Sequence, residues 1–434
     1  MKAGMKLPAT LRALQYRNFQ LFAGGQLISL VGTWMQNVAQ SWLVYRITGS
    51  SLLLGAAGFS SQIPIFLLSP VGGMVADRYS RHRVVIATQA ASMLLAFVLA
   101  ALTLTGAIRI WHIFVLSALL GVVNAFDIPA RQSLFVDMVE RADLMNAIAL
   151  NSSMFNASRM IGPAIAGILV AGIGEGWCFF ANAVSYIAVL AGLLMMRVSR
   201  HEPVEHPGSP ISHIVEGFRW VLKNPPVHAL LILLGIASLT AMPFTVLMPI
   251  FADRILHGGA RAMGWLMGAS GTGALAGALL LASRRDLKGL ALWVPLSATA
   301  FGVSLAAFAW SRNFRLSAAL LVPLGFSLMI QMGASNTLIQ SMVPDRLRGR
   351  VISLYSMMVM GMAPIGSLAA GAAAGRIGAP MTVSAGGVIS IIAAAVFWKW
   401  LPQIRQGARL LIVAQQMSAG PPGQPVVMAP PSPR

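Results

Sequence analysis

The sequence predicts an all-α polytopic membrane protein whose twelve transmembrane helices form two pseudo-symmetric six-helix bundles. Three observations predict it. Of 434 residues, 57% are hydrophobic and 10% are charged, with a mean hydropathy of +0.74, a composition too apolar for an ordinary soluble domain. The apolar residues fall into twelve runs, six on each side of a polar break. The two sets of six are also alike at a constant offset, pairing Gly121 with Gly325, Leu134 with Leu338, Met138 with Met342, Val139 with Val343, Ile148 with Ile352, Ser152 with Ser356, Gly162 with Gly366 and Gly167 with Gly371. Both copies start from the same side of the membrane, so the repeat is parallel, as expected of two bundles that rock about a central site. A channel or a membrane-embedded enzyme does not require it.

The runs lie at 19–45, 51–75, 84–105, 110–136, 145–173 and 176–198, then at 227–252, 262–283, 290–310, 314–338, 350–375 and 380–401. Each is long enough, at 1.5 Å per residue, to cross a hydrocarbon core of about 30 Å. Residues 1–198 are expected to form the first bundle and 227–401 the second. Between them 199–226, with His201, Glu202, Pro203, Glu205, His206, Pro207 and Pro210, reads as a cytoplasmic linker, in which Ile211 to Lys223 forms a short amphipathic helix on the membrane surface. Residues 402–434, rich in proline and glycine from 418 onward, are expected to be a disordered cytoplasmic tail.

Charge fixes the orientation. The 31 Lys and Arg against 12 Asp and Glu give a formal +19, which in a soluble protein would suggest nucleic-acid binding. Here the basic residues gather at the N-terminus, in the even-numbered loops and in the C-terminal region. This is the positive-inside bias, and it places both termini in the cytoplasm. The first run is too long for the core of a signal peptide and reads as a retained helix. The single cysteine, Cys178, excludes an internal disulfide and a cysteine-rich metal site.

Four groups of residues carry the functional reading. Between the second and third runs, Asp77, Arg78, Arg81 and Arg83 cannot enter hydrocarbon, so Gly73 to Arg83 reads as a tight polar turn. In it Gly73 permits close helix approach, Asp77 accepts from a neighbouring helix N-terminus and the arginines reach nearby carboxylates. Asp137, at the end of the fourth run, is placed to meet Arg78 or Arg81 as a gating lock. On the first run Gln26, Ser29, Thr33, Gln36 and Gln40 step by three and four, so they share a face that either lines a transport path or bonds to other helices. Asn37, Gln331, Asn336 and Tyr355 are further candidates for the substrate cavity. Inside the fourth and fifth runs stand Asp127, Arg131 and Arg159. Asp127 and Arg131 are four apart and able to pair, and the repeat-related positions hold Gln331, Ser335 and Ala363. Charges confined to one half suit proton coupling or binding of an anionic group; the alternative is an ion pair that locks the two helices together. The fifth run carries Ser158, Gly162, Pro163, Ala166 and Gly167, small residues for close packing with a proline that loosens the backbone.

Two of these groups match known signatures. Gly73 to Arg83 resembles the loop 2–3 motif of the major facilitator superfamily, Gly-x-x-x-Asp-Arg-x-Gly-Arg-Arg, with Ser80 and His82 as departures. Ser158 to Gly167 resembles the antiporter motif of its exporters, Gly-x-x-x-Gly-Pro-x-x-Gly-Gly, with Ser158 and Ala166 replacing glycines. Tyr16-Arg17-Asn18-Phe19, Gly32-Thr33-Trp34-Met35-Gln36, Pro129-Ala130-Arg131-Gln132 and Asn146-Ala147 leading to Asn151-Ser152 resemble its enterobactin-exporter-like branch. That resemblance implies the major facilitator fold and a proton-driven exporter of a siderophore, drug or similar metabolite in a bacterial inner membrane. Its partners would be a small-molecule substrate, protons and the lipid bilayer, with no cofactor, no metal and no nucleic acid, and the chain would act as a monomer. A proton-coupled importer and a non-transporting receptor or assembly partner of the same fold are the rival readings. The sequence holds no Gly-x-x-x-x-Gly-Lys-[Ser/Thr] phosphate loop and no His-Glu-x-x-His site, which argues against a built-in ATPase and against an enzyme.

Overall fold

The computed structural model describes residues 9–197, 210–284 and 289–418. Each apolar run becomes a helix because a backbone in hydrocarbon must satisfy its N–H and C=O groups within its own segment. In the first bundle the helices are α1 (Arg17–Thr48), α2 (Ser51–Arg78), α3 (Arg81–Leu104), α4 (Ile110–Met138), α5 (Leu144–Ile173) and α6 (Glu175–Met195). A connecting helix α7 (Pro210–Lys223) leads to α8 (Pro225–Ile255), α9 (Gly259–Ser283), α10 (Leu290–Trp310), α11 (Phe314–Met342), α12 (Arg346–Ile377) and α13 (Ala379–Ser418). Among the described residues eleven helices are long and apolar enough to cross a membrane. The twelfth, α1, has 32 residues and is the most polar of the set, since the glutamines and Asn37 lie on it.

Local chemistry sets the ends. Gly49 closes α1 in the left-handed region at φ 60, which costs glycine nothing. Ser50 then caps α2 by accepting the Leu53 N–H at 3.4 Å, and Asn313 caps α11 by accepting from the Arg315 and Leu316 N–H groups at 2.9 and 3.2 Å. Pro225 and Pro226 occupy the first turn of α8, where a missing N–H is no loss. A single π turn ends α8 at Phe251–Ile255, and another interrupts α12 at Met357–Gly361.

Within the bundles α2 packs on α4, α1 and α3 on α6, α9 on α11, and α10 on α13. Between the bundles α5 packs on α9 and α2 on α12. These two seams need bare backbone. A Cβ on Gly167 would lie 2.9 Å from the Gly264 Cα, and one on Gly371 would lie 3.0 Å from the Gly55 Cα. The buried apolar residues form three clusters. One holds Leu43, Leu54, Ala166 and Phe179 of the first bundle together with Leu247, Phe251, Met263 and Phe308 of the second. It occupies the distal face, the one that carries the α1–α2, α3–α4 and α5–α6 connections. The other two lie toward the face carrying the α2–α3 turn, and each belongs to one bundle alone. The bundles therefore meet at the distal face and part at the other.

Three expectations are corrected. The tight turn is shorter than the Gly73 to Arg83 stretch: α2 continues to Arg78, α3 begins at Arg81, and Tyr79 and Ser80 alone connect them. The close approach belongs to Gly72, whose Cβ would collide with the Ala125 carbonyl of α4, whereas a Cβ on Gly73 would meet nothing within 4 Å. The expected disordered tail from 402 is helical to Ser418, because Leu401, Ile404 and Ala408 bury themselves in the same cluster as Val221 of α7 and Leu347 of α12. The helix expected within the linker is present as α7, tied to α12 by the Glu216–Arg350 ion pair. Linker residues 199–209 and tail residues 419–434 lie outside the described residues.

Candidate functional site

A cavity of about 480 Å³ lies between the bundles, about midway along the helices that line it. It is lined from α1 by Trp34, Asn37, Gln40 and Ser41, from α2 by Ser61 and Gln62, from α4 by Ser117 and Asn124, and from α5 by Phe155, Arg159 and Pro163. The second bundle contributes Phe244, Thr245, Met248, Met267, Ser270 and Ser367. Local packing positions the charged member. Gly162, one turn from Arg159, lets α5 dock on α1, where its Cβ would lie 2.6 Å from that of Trp34. Arg159 then stands over the Trp34 ring, with its guanidinium carbon 5.7 Å from the centroid. Phe155 meets the same ring edge-on at 5.5 Å. Gln40 Nε2 donates to Ser117 Oγ at 2.8 Å, fixing one polar wall.

The polar stripe of α1 divides. Gln40 lines the cavity, as does the separately expected Asn37, but Gln26, Ser29 and Gln36 are buried within the first bundle. Gln36 Oε1 accepts from Asn182 Nδ2 of α6 at 2.7 Å, and Thr33 Oγ1 donates to the Ser29 carbonyl at 2.9 Å. Residues spaced seven apart drift by roughly 20° per heptad around a straight helix. The stripe thus starts on α6 and turns toward the cavity. Gln331, Asn336 and Tyr355 do not line it either. Gln331 is buried in α11, Tyr355 donates to the Met332 carbonyl at 3.2 Å, and Asn336 accepts from Gln340 at 3.1 Å.

Asp127 faces away from the cavity. It is 3% exposed and accepts from Thr88 Oγ1 and Gln89 Nε2 of α3, both at 2.8 Å, while Arg131 Nε lies 3.3 Å from its second oxygen. All four groups belong to the first bundle, so nothing that holds Asp127 is broken by relative movement of the bundles. At the α2–α3 turn Arg81 lies 3.8 Å from Asp137 and donates to the Ser133 carbonyl at 3.3 Å, and His82 bonds the Leu193 carbonyl at 2.8 Å. Arg78 and Arg83 are exposed. On α5 the small residues serve different neighbours: Gly162 meets α1, Gly167 meets α9, and Ser158 and Ala166 are fully buried.

Sequence reasoning missed the distal lock. Tyr45 of α1 donates to Asp253 Oδ2 of α8 at 2.8 Å, and Arg254 Nη2 donates to the Gly49 carbonyl at 3.1 Å. The Arg254 guanidinium also stands 5.6 Å from the Tyr45 ring centroid. These bonds join the bundles. No local pattern announces them, since the partners are more than two hundred positions apart. Gln62 and Asn124 were missed as well; Asn124 lies on the same helix as Asp127 but points into the cavity.

A model of the transmembrane secretion effector family matches residues 9–419. The chain belongs to that family. Among its relatives, a staphyloferrin A transporter of Staphylococcus aureus is 27% identical over 87% of this chain and 94% of its own length. A multidrug efflux pump, Tap, of Mycolicibacterium fortuitum is 25% identical over 89% of this chain and 95% of its own. The enterobactin exporter EntS of Shigella boydii is 25% identical over 82% and 84%. The fold is that of solved transporters: nucleoside transporter NupG superposes with a TM-score of 0.70 at 13% identity, covering 89% of this chain and 99% of that one. A bacterial homologue of the lysosomal transporter Spinster does so with 0.66 at 16% identity over 93% and 99%. This secretion effector is therefore a membrane-embedded transporter of the major facilitator superfamily, in its siderophore and drug exporter branch, and not an enzyme.

Proposed function

We propose that this secretion effector exports a small organic molecule from the cytoplasm by alternating access, driven by inward movement of protons. The observation that carries the reading is the cavity between two bundles that are joined at the distal face and separate at the face of the α2–α3 turn. The positive-inside bias puts that turn and both termini in the cytoplasm. The cavity then receives its cargo from the cytoplasm and releases it once the distal contacts part. The relatives named for siderophore and drug export support the direction. The Arg81–Asp137 pair and the His82 bond hold α3 to α4 and α6, so that the first bundle turns as a unit.

The reading is tested with inverted bacterial membrane vesicles containing the protein, which turn the cytoplasmic face outward. Energised vesicles should accumulate a member of a siderophore and drug panel, and a protonophore should abolish the accumulation. Uptake equal to that of vesicles lacking the protein across the panel would reject export. Orientation is checked separately in a Cys178→Ser background. Cysteines at Arg83 and Arg348 should react with an impermeant thiol reagent from the cytoplasmic side alone, and a cysteine at Gly106 from the outside alone.

A further inference from the structure

We propose that Arg159 makes the central cavity selective for anions, and that its cargo carries a carboxylate on an aromatic or similarly flat apolar body. The inference rests on the export reading, since it names the substrate class of the same cavity. Arg159 is the only charged residue among those lining the cavity. Among the described residues its guanidinium makes no ion pair and no hydrogen bond; it stands over the Trp34 ring face, which attracts the cation yet leaves its N–H donors unused.

The other interior cation differs. Arg131 is neutralised by Asp127 inside the first bundle, so that carboxylate is not available to Arg159. A lone charge halfway along a spanning helix is costly, and such residues face water-filled paths where they meet a partner. Here the partner has to arrive from outside the protein. A planar guanidinium with free in-plane donors suits a carboxylate, which it can take in a bidentate fork. The surroundings describe the rest of the molecule. Trp34, Phe155 and Phe244 offer aromatic surface, while the Asn37, Gln62 and Asn124 amides offer hydrogen bonds without opposing charge. A cationic cargo would meet like charge with no acid beside it, and repulsion across a low-dielectric cavity is large.

The test uses the purified full-length protein in detergent and low-chloride buffer with three probes of one shape: naphthoate, naphthamide and naphthylmethylammonium. Equilibrium dialysis should show naphthoate binding about tenfold or more tighter than naphthamide, as a charge-assisted hydrogen bond provides, with the ammonium compound weakest. Arg159→Gln should remove that advantage, so that naphthoate and naphthamide bind alike, and the thermal unfolding midpoint of the variant reports whether it is folded. Arg159→Lys should keep part of it. Equal binding of the three probes, binding of none, or an advantage that survives Arg159→Gln would overturn the inference. Should Arg159→Gln not be recovered folded, the charge series on the wild-type protein decides alone. The outcome is separable from the export reading. Selective naphthoate binding without proton-dependent uptake in vesicles would leave the anion site standing and remove export, and proton-dependent uptake that prefers the ammonium compound would do the reverse.

Discussion

Two interior arginines on neighbouring helices have opposite surroundings, and the difference decides what each can do. Arg131 has its carboxylate four residues away on the same helix, and Asp127 is further held by Thr88 and Gln89. A carboxylate so fully occupied, and occupied by one bundle only, favours our proposal of a structural ion pair over one of proton coupling. Asp127→Asn keeps the shape and the bonds from α3 but leaves Arg131 without a counter-charge. Breaking a fully buried pair costs about 3–5 kcal/mol; the Arg131 side chain is 23% exposed, so about 2 kcal/mol is expected. Thermal unfolding in detergent should report a lowered midpoint, and proton-driven uptake per folded molecule should stay near wild type. Loss of uptake with an unchanged midpoint would return Asp127 to proton coupling. The spacing of the pair was legible in the sequence, because i and i+4 neighbours are fixed by the helix itself. The isolation of Arg159 was not, because it depends on which residues the other cavity-lining helices bring near it.

At the scale of the element, the helices were legible and their faces were not. Every apolar run became a spanning helix with ends within a few residues of those expected, except that α13 runs far beyond 401. Its extension depends on a buried strip that pairs with α7 and α12, which only the assembled bundle supplies. The α2–α3 motif shows the same division. Its charges mark the end of the span, but the glycine that matters is Gly72 and not Gly73, since the rotation of α2 places the former on Ala125. Gly72→Ala should therefore destabilise the protein by about 1–3 kcal/mol, the usual cost of overpacking. Gly73→Ala, with nothing within 4 Å, should stabilise it by about 0.5–1 kcal/mol through helix propensity alone. Thermal unfolding of the two variants side by side checks the pair, and equal shifts would contradict the helix rotation.

At the scale of the molecule, the contacts between bundles gather at one face. The Gly167–Gly264 and Gly55–Gly371 approaches, the shared apolar cluster and the Tyr45–Asp253 bond all lie toward the distal end. Opening that face must break the Tyr45–Asp253 bond, whereas most of the remaining contact is apolar and can slide. Tyr45→Phe deletes one hydrogen bond to a charged group, which should shift the balance of the two states toward the distally open form by about tenfold. A cysteine at Ser61, on the cavity wall, should then react from the distal side about tenfold faster than in the Tyr45 parent, in a Cys178→Ser background. An unchanged rate would show that the apolar seam alone holds the distal face closed.

The sequence by itself determined the membrane-spanning all-α architecture, the duplication into two bundles, the α7 helix and the superfamily. It could do so because hydrocarbon forces each span to satisfy its own backbone, and because repeat and motif are written in consecutive residues. Tertiary structure alone decided that Gln26, Ser29 and Gln36 pack inside a bundle while Asn37 and Gln40 meet the cavity. It also decided that Asp127 is enclosed and Arg159 is not, and that Tyr45 reaches Asp253. Each of these outcomes turns on the rotation of a helix against partners far away in the chain, and a rotation of one residue, about 100°, exchanges a packed face for an open one.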